Sequence, residues 1–310
     1  GGGLYTSNAL QKGRFQVNMN LLGASVHAEH DVAPDQYEPN LADENQANSH
    51  ELGIRMADLN VGMSLGLSFK TEVELRLPLR VFDVSPTFIG ESGDTLIDYT
   101  SIHHRDETLV GLGDIAVMGR YRLVEPVLER RILVDLRFGL TVPTGSTEAD
   151  PFTLAEAGES HQHVMFGSGT FDPIVGIESA LRLNNAMLIA WAQASASPLE
   201  NSHGYKAPSK VMGGFSVMSG FGSETWSLNS GIETYHETPA TWSGEPAKNS
   251  GRTDVIASAG VRYMHSEKWN YNFQMKVPKT VQSLGGQMST PLIFMVGIGR
   301  NTLLGSSHDH

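Results

Sequence analysis

Apolar and polar residues alternate strictly over stretches of roughly 8–12 residues from one end of the chain to the other, the period-2 signature of strands with two unlike faces. At 269–278, Trp269, Tyr271, Phe273, Met275 and Val277 fall on one side, and Asn270, Asn272, Gln274 and Lys276 on the other. A helix would mix these two sets, whereas a strand separates them. Positions 72–81 set Val73, Leu75, Leu77, Leu79 and Val81 against Glu72, Glu74, Arg76 and Arg80; the first segment sets Phe15, Val17, Met19 and Leu21 against Gln16, Asn18 and Asn20. Twelve such segments are predicted, near residues 14–27, 52–67, 72–84, 112–123, 132–143, 170–183, 186–197, 210–221, 226–236, 253–264, 269–278 and 291–301.

The connections alternate too. Those at 68–71, 124–131, 184–185, 222–225 and 266–268 are short; the others are mostly long and rich in Gly, Pro, Ser and acids. Short turns at one end and long loops at the other suit a membrane-spanning antiparallel barrel, with periplasmic turns and extracellular loops. Aromatic residues near the strand ends (Phe69, Tyr121, Phe171, Trp226, Tyr263 and Trp269) suit an interfacial girdle. The fold class expected is therefore all-β: a transmembrane antiparallel β-barrel of about 12 strands. Residues 14–301 form the barrel, 1–13 an N-terminal periplasmic segment or plug, and 302–310 a C-terminal tail.

Composition narrows the picture. The 310 residues are 40% hydrophobic, and no run approaches the ~20 apolar residues of a spanning helix. With no cysteine, disulfides and thiolate metal sites are excluded. The net charge of −12 argues against a nucleic-acid partner. No signal peptide is visible at Gly1, so the chain reads as exported and processed. Outer-membrane lipid and lipopolysaccharide are the expected surroundings, with a small molecule as substrate.

Several Gly-rich segments carry a family resemblance. Leu65-Gly66-Leu67-Ser68-Phe69-Lys70-Thr71-Glu72-Val73-Glu74-Leu75 with Leu77-Pro78-Leu79 is followed by Gly111-Leu112-Gly113-Asp114 and Tyr121-Arg122-Leu123. Gly139-Leu140-Thr141-Val142-Pro143-Thr144-Gly145 and Gly167-Ser168-Gly169-Thr170-Phe171-Asp172 complete the set. In this order, over roughly residues 58–183, they resemble a family of outer-membrane transporters associated with the meta-pathway of phenol degradation. The resemblance implies an outer-membrane barrel passing small hydrophobic or aromatic compounds, and brings no catalytic residues.

If the apolar faces meet lipid, the alternate positions line the lumen. They carry Asp58, Glu72, Glu74, Asp114, Asp135, Asp172, Glu178, Glu233 and Asp254, and the bases Arg76, Arg80, Arg120, Arg122, Arg137, Arg182, Arg262 and Lys276. So balanced a set on neighbouring strands of a narrow barrel should pair across the lumen, since a charge taken from bulk water needs a partner; it reads as a structural network that fixes register and narrows the bore, or as a selectivity lining. The expected outer loops hold the surplus acids: Glu29, Asp31, Asp35, Glu38, Asp43, Glu44 and Glu51 in 28–51, and Asp83, Glu91, Asp94, Asp98, Asp106 and Glu107 in 82–110. Such a mouth gathers cations.

Loop histidines are the second feature. His161-Gln162-His163 and His308-Asp309-His310, with His103 and His104, are candidate ligands for Zn²⁺ or Cu²⁺, since an extended His-x-His puts two imidazoles on one side. No cofactor is expected beyond weak divalent-cation binding in these loops. No Gly-x-Ser-x-Gly elbow or phosphate loop is present, so no enzyme is expected. Passive transport of small molecules is the leading function; the alternative is an anchor barrel whose acidic, His-bearing loops bind metal ions or a surface partner.

Overall fold

Each alternating segment becomes a strand because a strand sends successive side chains to opposite sides, and one face of each must be covered or lipid-bound. A computed structural model of the chain describes residues 11–32, 37–38, 40–42, 45–101, 104–124, 132–161, 164–220, 225–247, 250–284 and 288–304. Twelve strands form the barrel. They are β1 Arg14–Asp31, β2 Ser49–Gly66, β3 Thr71–Ile89, β4 in two pieces (Glu107–Leu112 and Ile115–Val124), β5 Ile132–Val142 and β6 Pro173–Arg182. The second half comprises β7 Ala186–Ser195, β8 Lys210–Gly220, β9 Trp226–Glu237, β10 Arg252–Met264, β11 Trp269–Ser283 and β12 Ile293–Leu303. Every strand is antiparallel to its chain neighbours, and β1 pairs with both β2 and β12, from Arg14 opposite Leu303 to Ala24 opposite Ile293. The sheet is thus a closed twelve-stranded barrel with no free edge.

The outer surface is an apolar belt. Met19, Leu21, Val73, Leu79, Phe138, Val175, Ile177, Phe215, Ile232, Phe273, Val277 and Val296 are all exposed on it. Aromatic rings gather at the short-turn end, where Trp226 and Tyr263 stand 4.6 Å apart, Tyr263 stacks on Tyr271 at 6.2 Å, and the Arg300 guanidinium covers Trp269 at 5.3 Å. An apolar exterior around a closed sheet satisfies every strand's backbone without water, which the bilayer core requires. The protein is an outer-membrane β-barrel.

Several strands are longer than the alternation predicts, whereas β5 to β8 are slightly shorter. β1 runs to Asp31 instead of 27, β2 begins at Ser49, β3 reaches Ile89, β4 begins at Glu107, and β11 reaches Ser283. Glu29, Asp31, Glu51, Asp83 and Glu107, expected in loops, therefore lie on strands. At about 3.3 Å per residue and a tilt near 40°, the 10-residue β6 and β7 rise about 25 Å, the height of an outer-membrane apolar band. The 18 or 19 residues of β1, β2 and β3 rise about 46 Å and stand roughly 20 Å clear of it.

The interruption of β4 has a local cause. Leu79 pairs with Leu112 and Arg76 with Ala116, so the break at Gly113-Asp114 faces Leu77-Pro78. Pro78 has no N–H for the ladder. Its carbonyl still accepts from Gly113 N at 2.8 Å. Between β5 and β6 the chain carries the helix Pro151–Glu156 and returns to the barrel at 166–172.

Candidate functional site

Opposite the belt, the inner face of β3 to β6 carries an ion-pair cluster. Adjacent strands bring the charges together by register: Glu72 faces Arg120, Arg120 faces Arg137, and Arg122 faces Asp135, which faces Glu178. Asp135 is the most enclosed carboxylate, 1% exposed, and accepts Arg122 Nε at 2.8 Å and Nη2 at 3.0 Å. Arg120 lies 3.8 Å from Asp135 and 3.5 Å from Glu72; Arg137 lies 3.6 Å from Glu74 and 3.8 Å from Glu178; Arg76 Nε donates to Glu74 at 2.5 Å. Two arginines directly opposite one another would repel. Here each is flanked by two carboxylates, which turns the repulsion into an alternating lattice of charge.

Above this lattice, the break in β4 pins a loop inside the barrel. Asp114 accepts from Gly145 N at 3.0 Å, Ser168 N at 2.7 Å and Ser168 Oγ at 3.0 Å. Arg80, paired with Asp58 at 3.2 Å, donates Nη1 to the Phe166 carbonyl at 3.2 Å. The Phe166 ring is buried against Gly111 and lies 5.7 Å from Phe82; a Cβ at Gly111 would fall 2.6 Å from Phe166 Cγ, so that position must be glycine. Asp172 closes the return, its N donating to Thr141 Oγ1 at 3.2 Å and its Oδ1 accepting Thr170 Oγ1 at 2.8 Å. The separate Gly-rich segments of the sequence thus meet in one node, which holds an aromatic side chain in the bore.

The outer half of the lumen differs from what alternation predicts. Leu21, Leu59 and Leu79 share one rung and face lipid; one rung up, Leu22, Asp58 and Arg80 face inward. Beyond that level the apolar set changes sides. Leu22, Ala24 and Val26 on β1, Leu52, Ile54 and Met56 on β2, and Phe82, Val84 and Phe88 on β3 point inward, joined by Leu109 of β4 and Met295 of β12. Most outward positions at this height are polar or small, Val81 and Val110 excepted: Arg55 is 84% exposed and sits 3.9 Å from Asp83. The physical reason is height, since these strands have left the bilayer and their outer face meets water. The named charged residues therefore do not describe the whole lining: on β1 to β4 its outer half is apolar. The inversion is visible in the sequence, where Leu59, Val61 and Met63 hold one parity and Leu52, Ile54 and Met56 the other.

The facing wall is polar at the same height. Lys276 Nζ donates to both oxygens of Glu233 at 2.8 Å, Arg252 lies 3.3 Å from Asp254, and Tyr235 OH donates to Glu237 at 2.5 Å. A cavity of about 430 Å³ opens beside them between β10, β11 and the segment 288–291, lined by Tyr235, Asp254, Ile256, Pro278 and Ile293. Of the remaining lumen candidates, Arg182 is exposed at the periplasmic end of β6, and Arg262 is buried on the inner face of β10.

The candidate metal ligands do not assemble among the described residues. His161 is buried with Nδ1 2.9 Å from the Glu159 carbonyl, while the His104 ring packs 4.7 Å from that of His50. His103, His163, His308 and His310 lie outside the described residues, as do 1–10 of the N-terminal segment and 305–310 of the tail. Among the described residues, no three of His, Asp and Glu gather as a metal site.

No family model matches the sequence, and no curated protein matches it significantly. Solved structures do match. An outer membrane channel from Pseudomonas putida F1 aligns over 97% of this chain and 100% of its own with a TM-score of 0.61 and 11% identity. The Pseudomonas putida toluene transporter TodX aligns over 96% and 90% (TM-score 0.42, 9% identity) and the translocator domain of autotransporter NalP from Neisseria meningitidis over 93% and 88% (0.46, 10%). At 11% identity the first of these shares the fold; the other two are too loosely superposed for detail to carry across.

Proposed function

We propose that the protein is a passive outer-membrane channel for small hydrophobic molecules, with no covalent chemistry of its own. The observation that supports it is the apolar inner wall of the outer half, Leu22, Val26, Ile54, Met56, Phe82 and Leu109, set inside a stretch of barrel whose exterior is wet. An apolar solute gains about 25 cal/mol per Å² of its surface removed from water on such a wall. Passing inward it meets Phe166 at the pinned loop and then the ion-pair lattice, which offers no comparable gain and so favours release. The P. putida F1 neighbour of the same fold is itself a channel. Monoaromatic compounds, as the phenol-pathway resemblance implies, are the finer form of the proposal. The charged inner-face residues then line the lower path as a structural lattice, and lipopolysaccharide surrounds the rim.

Uptake of radiolabelled toluene by cells carrying the protein in their outer membrane tests it. Ile54→Asp with Met56→Asp puts two carboxylates on the apolar wall, and uptake should fall toward that of cells lacking the protein. Unchanged uptake by a variant that still shows the heat-modifiable gel mobility of a folded barrel would overturn the proposal.

A further inference from the structure

The inner face of β9 to β11 near the periplasmic end is unlike the rest of the lumen. Among the described residues its only charge is Arg262, 8% exposed, and no carboxylate there pairs with it; its guanidinium contact is Nη2 to Met264 Sδ at 2.9 Å. The nearest inner-face acid on its own strand is Asp254, about 26 Å away at 3.3 Å per residue, and Glu233 is taken by Lys276. Around Arg262 stand amides. Asn272 is directly opposite on β11, while Asn229 and Gln274 flank Gly260 one rung up. Both polar atoms of Asn229, Asn272 Oδ1, Gln274 Oε1 and Arg262 Nε are buried without a hydrogen-bond partner. Glycine makes the room, since a Cβ at Gly260 would lie 2.8 Å from Asn229 Oδ1, and one at Gly297 would collide with the amides of Asn20 and Asn272.

A buried cation and several amides left unsatisfied together are costly unless something completes them. We infer that Arg262, with Asn229, Asn272 and Gln274, forms a binding station for the carboxylate of a small solute crossing the lumen. A planar guanidinium matches a carboxylate in a two-bond fork. Each amide presents an NH₂ or a carbonyl according to its flip, so the same three side chains can donate to the carboxylate oxygens or accept a hydroxyl beside them. The inference rests on the channel reading and deepens it: with an apolar wall above and one uncompensated cation below, the fitting solute is an aromatic ring bearing a carboxylate.

Current block in planar bilayers by sodium benzoate, measured on the full chain in potassium chloride, tests the station. Benzoate should block wild type reversibly, Arg262→Gln should raise the half-blocking concentration about tenfold or more, and Arg262→Lys should recover part of the loss. Inorganic phosphate should block wild type far less well than benzoate. An unchanged benzoate midpoint in Arg262→Gln, or equal block by phosphate, would overturn the inference. If Arg262→Gln lacks folded gel mobility, the pair Asn229→Ala and Asn272→Ala keeps the cation and should still weaken the block; no change there overturns the inference equally. Toluene uptake by the wild type separates the two proposals: its failure would sink the channel reading for hydrophobic solutes, whereas the benzoate midpoints of wild type and Arg262→Gln test the station.

Discussion

Removing the Asp114 carboxylate should free the loop that narrows the bore. Asp114→Ala deletes three hydrogen bonds to an ionised acceptor, from Gly145 N, Ser168 N and Ser168 Oγ at 2.7 to 3.0 Å. Hydrogen bonds to charged groups contribute about 1.5–3 kcal/mol each, so the set of three is worth roughly 4–5 kcal/mol even at the lower figure. Water entering the vacated site recovers much of that for the freed N–H groups. If only a third is lost, about 1.5 kcal/mol, the ratio of docked to undocked loop still falls about tenfold. The stacking of Phe166 over Gly111 and the Arg80 bond to its carbonyl remain, so the loop should flicker and not detach. Single-channel recording should show a higher mean conductance with added open-channel noise. Asp114→Asn, which keeps an acceptor oxygen, should fall between, and Phe166→Ala should raise conductance without the noise because the loop stays pinned. Wild-type conductance and noise in Asp114→Ala would refute the argument that this carboxylate sets the constriction.

Other outcomes follow from the same geometry. Spin labels at Phe273 and Gln274 should report lipid and water respectively, and labels on the outer face of β2 should report lipid at Leu59 but water at Arg55; a lipid signal at Arg55 would remove the basis for the parity inversion. Asp135→Asn leaves Arg122 and Arg120 without their shared carboxylate, and breaking so enclosed a pair should cost about 3–5 kcal/mol, read as a lower denaturant midpoint, with ion selectivity moving toward anions; an unchanged midpoint would show the lattice to be well hydrated. In the outer flap that pairs Tyr205–Lys206 with Thr241–Trp242, burial first, and then the charges of Glu237 and Asp172, push the Tyr205 phenol up to about 12. Its raised value favours the neutral form in the folded flap, so that contribution is complete below pH 10 and is lost as pH rises from 10 to 12. Ultraviolet titration should show a late-ionising component that shrinks in Tyr205→Phe, and a late component unchanged by that substitution would discount the packing of Tyr205, 4.8 Å from Trp242.

Strand number, antiparallel order and the lipid-facing set at 269–278 are written in the sequence because a period of two is local: each residue's face follows from its neighbours. The turn signals are local as well, and they separate the short-turn end from the long-loop end. The charged inner positions can be listed from alternation, and their balance predicts pairing across the lumen; that the partners meet instead between neighbouring strands, and which acid meets which base, is not legible locally, since register is set between strands far apart in the chain. The Gly-rich segments were recognisable one by one, yet their purpose lies in the contact of Gly111 with Phe166 and of Asp114 with Ser168, which closure of the barrel brings about. Where the lining turns apolar is an intermediate case. The change of parity at Met56 and Phe82 is present in the sequence, but an interrupted alternation reads equally as the end of a strand. Only the continued pairing of β1, β2 and β3 shows that the strand goes on while its surroundings change from lipid to water. That Arg262 has no counter-ion among the described residues is beyond any local reading, because it is a property of every strand that faces a residue, and the sequence orders only its neighbours along the chain.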